Sequence, residues 1–283
     1  MKDVRTTVMS MLTFMIMLAW PEIAVSQWGS VSGNGNVVTQ DRSVPAFTGI
    51  EVSCSADVYI KQGGSQAVKV KADENLLNLI KTDVSGGVLE IDIDGNIRNA
   101  KIMEVYVTVV NLDKVRINGS GDVKSEGIIK GMSCEIDING SGDVNLELDV
   151  KSLESSINGS GDVDVSGVSG AFKLRVAGSG DFTAEQLRLT NGNINVQGSG
   201  DIKLSGSADK IIIDHSASGD VNLYSLNAVD VDARTNGSGD VVVNVSGILK
   251  VRLSGSGDLT YTGQPKSVDV SSSGSGEVYH RKN

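Results

Sequence analysis

One four-residue corner returns nine times in this chain and limits what it can fold into. Gly119-Ser120-Gly121-Asp122 recurs as Gly140 to Asp143, Gly159 to Asp162, Gly178 to Asp181 and Gly198 to Asp201. It returns as Ala217 to Asp220, Gly237 to Asp240, Gly255 to Asp258, and last as Gly274 to Glu277. The acidic residues are spaced 21, 19, 19, 20, 19, 20, 18 and 19 residues apart. A fixed period of this size marks a stacked repeat, in which each unit buries its apolar side only against its neighbours.

Between corners the pattern is that of strands. Val144, Leu146 and Leu148 alternate with Asn145, Glu147 and Asp149, and Ile136 and Ile138 alternate with Asp137 and Asn139. A period of two places alternate residues on opposite faces. Nineteen residues at about 3.3 Å each trace a perimeter of roughly 60 Å, which suits a three-sided coil of short strands around one layer of side chains. A propeller blade needs about 40 residues, and no six-residue sub-period is present. The expected fold is all-β: a right-handed parallel β-solenoid (β-helix) of about 19-residue coils, the hand following that of parallel crossovers.

The segment before the corners is less regular. Phe47 to Cys54, Val58-Tyr59-Ile60, Val68-Lys69-Val70, Val88 to Ile93 and Val105 to Val110 read as strands. Asp73-Glu74-Asn75 before Leu76, Leu77, Leu79 and Ile80 predicts a short capped helix. Ser55-Ala56-Asp57-Val58 echoes the corner, so this region is expected to supply irregular coils that also cap one end of the stack, since an open edge invites association.

At the start, Lys2 and Arg5 precede an apolar run from Val8 to Trp20, and Ala24-Val25-Ser26 supplies small residues for cleavage before Gln27. These are the marks of a secretory leader, and the run is shorter than the roughly 20 residues a membrane helix needs. The expected divisions are therefore 1–26 leader, 27–112 irregular coils and cap with one short helix, and 113–283 regular solenoid. The product would be periplasmic, at the outer surface or secreted, and not membrane-spanning after cleavage. No Cys closely follows the apolar run, which argues against a lipid anchor.

The net charge is −10, unchanged by loss of a leader that carries Lys2, Arg5, Asp3 and Glu22. A surplus of this sign repels phosphate backbones and argues against nucleic acid as a partner. Cys54 and Cys134 occupy different points of the coil, several coils apart, beyond the roughly 7 Å Cα limit for a bridge; two buried thiols are expected.

The acidic row Asp122, Asp143, Asp162, Asp181, Asp201, Asp220, Asp240, Asp258 and Glu277 is the natural candidate site. Stacked carboxylates about 5 Å apart repel unless turn amides and Ser hydroxyls bond them or a cation bridges them. The first makes the corner structural; the second makes it a calcium ladder, since calcium takes several oxygen ligands. The corner glycines serve positive φ or close backbone approach.

Asp214, His215 and Ser216 have the residue types of a triad, but neighbours on a strand point to opposite faces and cannot converge. His280 lies in the tail, and two histidines without clustered cysteines give no zinc set. Carboxylates repeated equivalently along the coils provide no unique pair for glycoside hydrolysis, and aromatics for stacking sugars make up only 4% of the chain. No catalytic or cofactor-binding residue is assigned and no cofactor is expected, calcium being the one candidate ion. Asn118-Gly119-Ser120 and its copies match a glycosylation acceptor formally but read as turn residues.

The segments Phe47-Thr48-Gly49-Ile50-Glu51-Val52 and Asp57-Val58-Tyr59-Ile60-Lys61-Gln62-Gly63, with the Ile-Asn-Gly-Ser-Gly-Asp-Val repeats and the leader, resemble the family described as "putative auto-transporter adhesin, head GIN domain". The resemblance runs from about Gly35 to Glu277. It implies an exported bacterial protein with a right-handed β-solenoid and a role in adhesion. Together these readings describe a non-enzymatic exported solenoid that binds a repetitive partner, a glycan or cell-envelope polymer. A calcium-stabilised envelope spacer and a carbohydrate-active enzyme are the alternatives.

Overall fold

The computed structural model describes residues 29–282; the leader expected at 1–26 lies outside them. The regular elements of the described chain are all strands apart from one 3-10 turn. The regular coils stack in parallel and in register: Val144 pairs with Val163, Val163 with Phe182, Phe182 with Ile202, and Ile202 with Val221. The expected solenoid is present, with one change. In the five middle coils the expected short strands are joined into one long strand, such as Val144–Ile157 and Val163–Val176, whereas later coils keep short strands such as Val241–Val245 and Ile248–Leu253. Val144–Ile157 bends at mid-length, where the register slips between Glu147 and Ser152, so backbone pairing continues around the bend.

Alternation fills the interior. The strand Val144–Ile157 buries Val144, Leu146, Leu148 and Val150 and then Leu153, Ser155 and Ile157. Stacking turns these positions into columns. One runs Leu89, Ile50, Val115, Ile136, Ser155, Leu174, Ile194, Ile213, Ala233, Val251 and Val270. Burying each side chain fully contributes about 1.5–3 kcal/mol for the larger residues, shared between coils that have no separate core.

Several outward positions on the run entering the corner pair opposite charges across or within coils, although Glu135 stacks on Glu154 and Arg234 on Arg252. Lys114 pairs with Glu135 and Asp137, Lys173 with Glu154, and Arg234 with Asp214 and Asp232. Each exposed pair contributes little, and the register is held by the backbone ladder and the inward columns.

The N-terminal third is layered out of chain order. Strands Gly49–Val52 and Asp57–Gln62 lie directly beneath Lys114–Ile117 and Val123–Ser125. Beneath them in turn lie Val88–Ile93 and Met103–Val109. The chain lays the middle layer first, then the bottom one, then crosses to the top. Gln62 clasps the crossing: its Nε2 donates to Val110 O at 3.0 Å and Lys130 O at 2.9 Å, while its Oε1 accepts from Lys130 N at 3.0 Å.

The cap is antiparallel. Ile80–Ser85 pairs with Val88–Ile93, Ala67–Asp73 with Met103–Val109, and Val37–Arg42 with Ala67–Asp73. The helix expected after Asp73 is a single 3-10 turn, Glu74–Leu76. Asp73 does not cap it, because its buried carboxylate accepts Gly35 N at 2.6 Å and Lys101 N at 2.7 Å and pins two loops. The turn sends Leu76 and Leu77 into buried positions at this end.

Candidate functional site

The nine corners form one polar ribbon along the stack. In each, the serine faces solvent and the second glycine faces inward; the acid is exposed or half-buried. Adjacent coils place equivalent atoms about 4.8 Å apart. The two glycines do not supply positive φ, for none of them is among the residues with positive φ. They permit contact: a Cβ on Gly140 would strike Gly119 O, one on Gly142 would strike Gly121 O, and one on Gly180 would strike Gly161 O, all well inside 3.0 Å. Ala217 is the exception, and there the corner stands off. Ser218 N reaches Gly198 O at 3.3 Å, against 2.9–3.1 Å for the equivalent serines.

Backbone amides bond the acidic row. Asp143 N donates to Asp122 Oδ1 at 3.0 Å, Asp162 N to Asp143 Oδ1 at 2.8 Å, and Asp181 N to Asp162 Oδ1 at 2.8 Å. The chain of bonds continues through Asp201, Asp220, Asp240 and Asp258 to Glu277, whose N lies 2.9 Å from Asp258 Oδ1. Asp57 founds it, accepting Asp122 N at 3.2 Å. Thus Cys54-Ser55-Ala56-Asp57 is the first corner of the ribbon, and Asp57 belongs to the row although the exact motif misses it. Each aspartate holds the coil above it through one oxygen. Oδ2 of Asp122 pairs with Lys124 at 3.1 Å. Among the described residues no group of three His, Cys, Asp or Glu side chains is arranged to hold a metal ion.

Asparagines border the ribbon. Asn118 Nδ2 donates to Glu51 Oε1 at 2.9 Å, Asn139 Nδ2 to Asn118 Oδ1 at 3.1 Å, and Asn158 Nδ2 to Asn139 Oδ1 at 3.2 Å.

Asp214, His215 and Ser216 do not converge. His215 takes the inward place held by Val196 one coil before, 1% exposed, and its Nε2 donates to Gly219 O at 2.7 Å. Asp214 faces out to Arg234 at 3.2 Å. Cys54 and Cys134 are free and buried; burial raises the Cys54 thiol and pushes that of Cys134 up to about 12, so neither is a ready nucleophile.

Two clefts escaped the sequence. At the foot of the ribbon an open cleft of about 520 Å³ lies among Ser53, Ser55, Asn96, Asn118, Ser120 and Ser141. It exists because residues 92–103 detour where the layer above needs only 53–56. A second, of about 390 Å³, gathers Glu147, Asp164 and Glu185 beside Ile128; burial and then Glu185 raise the Asp164 carboxyl. Both depend on which outward residues adjacent coils bring together, which motif spacing does not reveal.

The family model described as "Putative auto-transporter adhesin, head GIN domain" matches residues 46–204 and 169–265. No curated protein matches the chain. Among solved structures, a "putative adhesin" from Parabacteroides distasonis aligns over 89% of this chain and 100% of its own, at 23% identity and a TM-score of 0.68. A "putative lipid binding protein" from the same species gives 24% identity and a TM-score of 0.66 over the same shares. A "putative adhesin" from Parabacteroides merdae gives 21% and 0.64, covering 89% and 99%. At these identities the likeness concerns the fold.

Proposed function

Because the chain belongs to the family described as "putative auto-transporter adhesin, head GIN domain", we propose that it is an exported, non-enzymatic rod that binds a repetitive cell-envelope or host polymer along its Gly-Ser-Gly-Asp ribbon. One observation carries this reading: nine equivalent corners put serine hydroxyls and carboxylates in straight rows on one edge. A ligand with its own linear repeat can engage several rungs, and multivalency turns weak contacts into avidity. Equivalence also argues against catalysis, which needs one unlike place. The names borne by structural relatives fit a binding role at the cell surface, and the leader fits export.

The ribbon itself decides how to test this. Replacing aspartates would remove acceptors that hold the next coil, so lost binding could reflect lost structure. The serines are exposed and can be changed without touching those bonds. The chain from residue 27 on should bind envelope polysaccharides or host matrix on an array. A variant with Ser141, Ser160, Ser179 and Ser199 changed to Ala should lose that binding with little change in melting temperature. Equal binding by both proteins, or none by the parent to any envelope or host surface, overturns the reading, and protection of the protein from protease added to intact cells overturns its host-polymer form.

A calcium-stabilised spacer is the second reading, supported by the row of carboxylates on successive coils, each of which gives one oxygen to the amide above it. A bound ion raises apparent stability by mass action, so a melting temperature that falls on chelation would favour it.

A further inference from the structure

Six asparagines of the chain precede a glycine: Asn34, Asn118, Asn139, Asn158, Asn191 and Asn236. Such a pair carries its own reaction. The glycine amide nitrogen can attack the asparagine Cγ, because glycine has no side chain to hinder the approach and one chain holds both reacting atoms together. The fold decides which pair is free to react.

In five of the six the amide is committed. Gly35 N donates to Asp73 Oδ1 at 2.6 Å. Gly119 N donates to Val52 O at 3.1 Å, Gly140 N to Ile117 O at 3.2 Å and Gly159 N to Ile138 O at 3.3 Å. Gly192 lies inside Phe182–Val196, in a stretch paired on both sides. An acceptor held against an N–H opposes loss of its proton, and the attacking species is the deprotonated amide. The side-chain amides of Asn118, Asn139 and Asn158 are also bonded to one another.

The sixth pair differs on both counts. Asn236 is exposed. Its own N reaches His215 O at 2.7 Å and Ser238 N reaches Ala217 O at 2.9 Å, but Gly237 N between them donates to no partner among the described residues. Ser254 Oγ, from the coil above, donates to Asn236 Oδ1 at 3.1 Å; its other acceptor, Thr235 O, is farther away at 3.4 Å. A hydroxyl aimed at Oδ1 stabilises the negative charge that develops there when Cγ is attacked.

We propose that Asn236 is a site of spontaneous deamidation, by which the folded chain ages at one chosen corner. Gly237 N gives its proton to hydroxide and bonds to Cγ; the Cγ–Nδ2 bond breaks, and Nδ2 takes a proton from water and leaves as ammonia. Water then opens the cyclic imide at either carbonyl, giving aspartate or isoaspartate, with no change of oxidation state. Isoaspartate lengthens the main chain by one carbon just before Gly237. There is no slack at that point: a Cβ on Gly237 would strike Ala217 O, and Gly237 O accepts Ser256 N at 3.0 Å. Ageing therefore loosens the stack between this corner and the next, and sets a new carboxylate beside the ribbon.

Peptide mapping by mass spectrometry, on the chain from residue 27 on held folded at mildly alkaline pH, tests this. The free amide and the serine donor should each be worth about fivefold in rate, so acid should appear at Asn236 roughly 20-fold faster than at Asn139. In the urea-unfolded chain the two should react at similar rates. Ser254→Ala should slow Asn236 about fivefold and leave Asn139 unchanged. Asn236→Gln, whose longer side chain does not close the same ring, should keep amide exchange slow at 253–259 on ageing, while exchange there rises in the aged parent. Folded Asn139 converting as fast as Asn236, an Asn236 that stays intact while the unfolded chain reacts, or a Ser254→Ala variant that ages as the parent does overturns the proposal.

Discussion

In the regular stack each coil rests on chain about nineteen residues earlier, whereas in the N-terminal third the neighbours of a layer come from far away. Val163 lies between Val144 and Phe182; Val58 lies between Val105 and Val123. The first arrangement can grow one unit at a time from local contacts, while the second needs long loops closed before its strands are rewarded. The difference also explains residue choice. A corner needs glycines only when another corner lies beneath it. Cys54 and Ala56 hold the two glycine positions of the first corner, and the detour of residues 92–103 leaves an open cleft below them. From the second corner upward both positions are glycine, with Ala217 the one exception.

The largest expected effect follows from that contrast. Gly180→Ala would drive a methyl into Gly161 O, and backbone on both sides leaves no flexible side chain to yield. Overpacking of this kind costs about 1–3 kcal/mol or more. Ala56→Gly, at the equivalent position of the first corner, should cost only about 1 kcal/mol, mostly through added freedom of the unfolded chain. Thermal denaturation of the two variants checks the comparison. Equal losses would mean that the glycines serve something other than stacking.

A smaller effect separates the two exposed residues of one corner. Asp181 Oδ1 accepts Asp201 N at 2.8 Å. Asp181→Ala leaves that amide without its acceptor and should cost about 1–3 kcal/mol, whereas Asp181→Asn, which keeps an amide oxygen, should cost less. Ser179→Ala, two residues away on the solvent side, should stay within about 0.5 kcal/mol. Denaturant midpoints decide it; a serine as costly as the aspartate would show that the hydroxyl row also holds the coils.

Much of this was legible because the repeat repeats its own evidence. The period, the alternation and the inward set at 144, 146 and 148 all follow from spacing. The role of the aspartates was open between amide bonding and a bridging cation, and coordinates were needed to find each Oδ1 beneath the next amide. Three things were hidden for physical reasons. Nothing local indicates that residues 88–109 form the layer under 49–62, because parallel pairing partners need not be neighbours in sequence. Asp73 looks like a helix cap, yet bonds to Gly35 and Lys101 compete for its carboxylate and leave one 3-10 turn. The exposed valines of 267–272 alternate like core residues, and only their place on the last described coil distinguishes them.

The last comparison concerns what holds a carboxylate in each region. Glu104 lies in register beneath Asp57, at the foot of the row, but it is held by side chains: Lys71 Nζ at 3.0 Å and Tyr106 OH at 2.6 Å. Burial opposes its ionisation, but the bonds from Tyr106 and Lys71 outweigh this and keep its carboxyl below the ordinary value of 4.5. The bond to Glu104 raises Lys71 in turn. A carboxyl lowered by folding stabilises the fold above its unfolded pKa, and that contribution is lost as pH falls through the folded value. Lys71 contributes below its ordinary 10.5 and loses that contribution as pH rises through its raised value. The cap should therefore hold steady between about pH 5 and 10 and loosen on acidification before the middle of the stack does. Amide exchange at pH 7, 4 and 3 should show Ala67–Asp73 and Met103–Val109 losing protection ahead of Val163–Val176. In Glu104→Gln, which cannot ionise, that lead should shrink; an acid response identical to the parent's would show that the weakness of the cap lies in its antiparallel strands and not in this cluster.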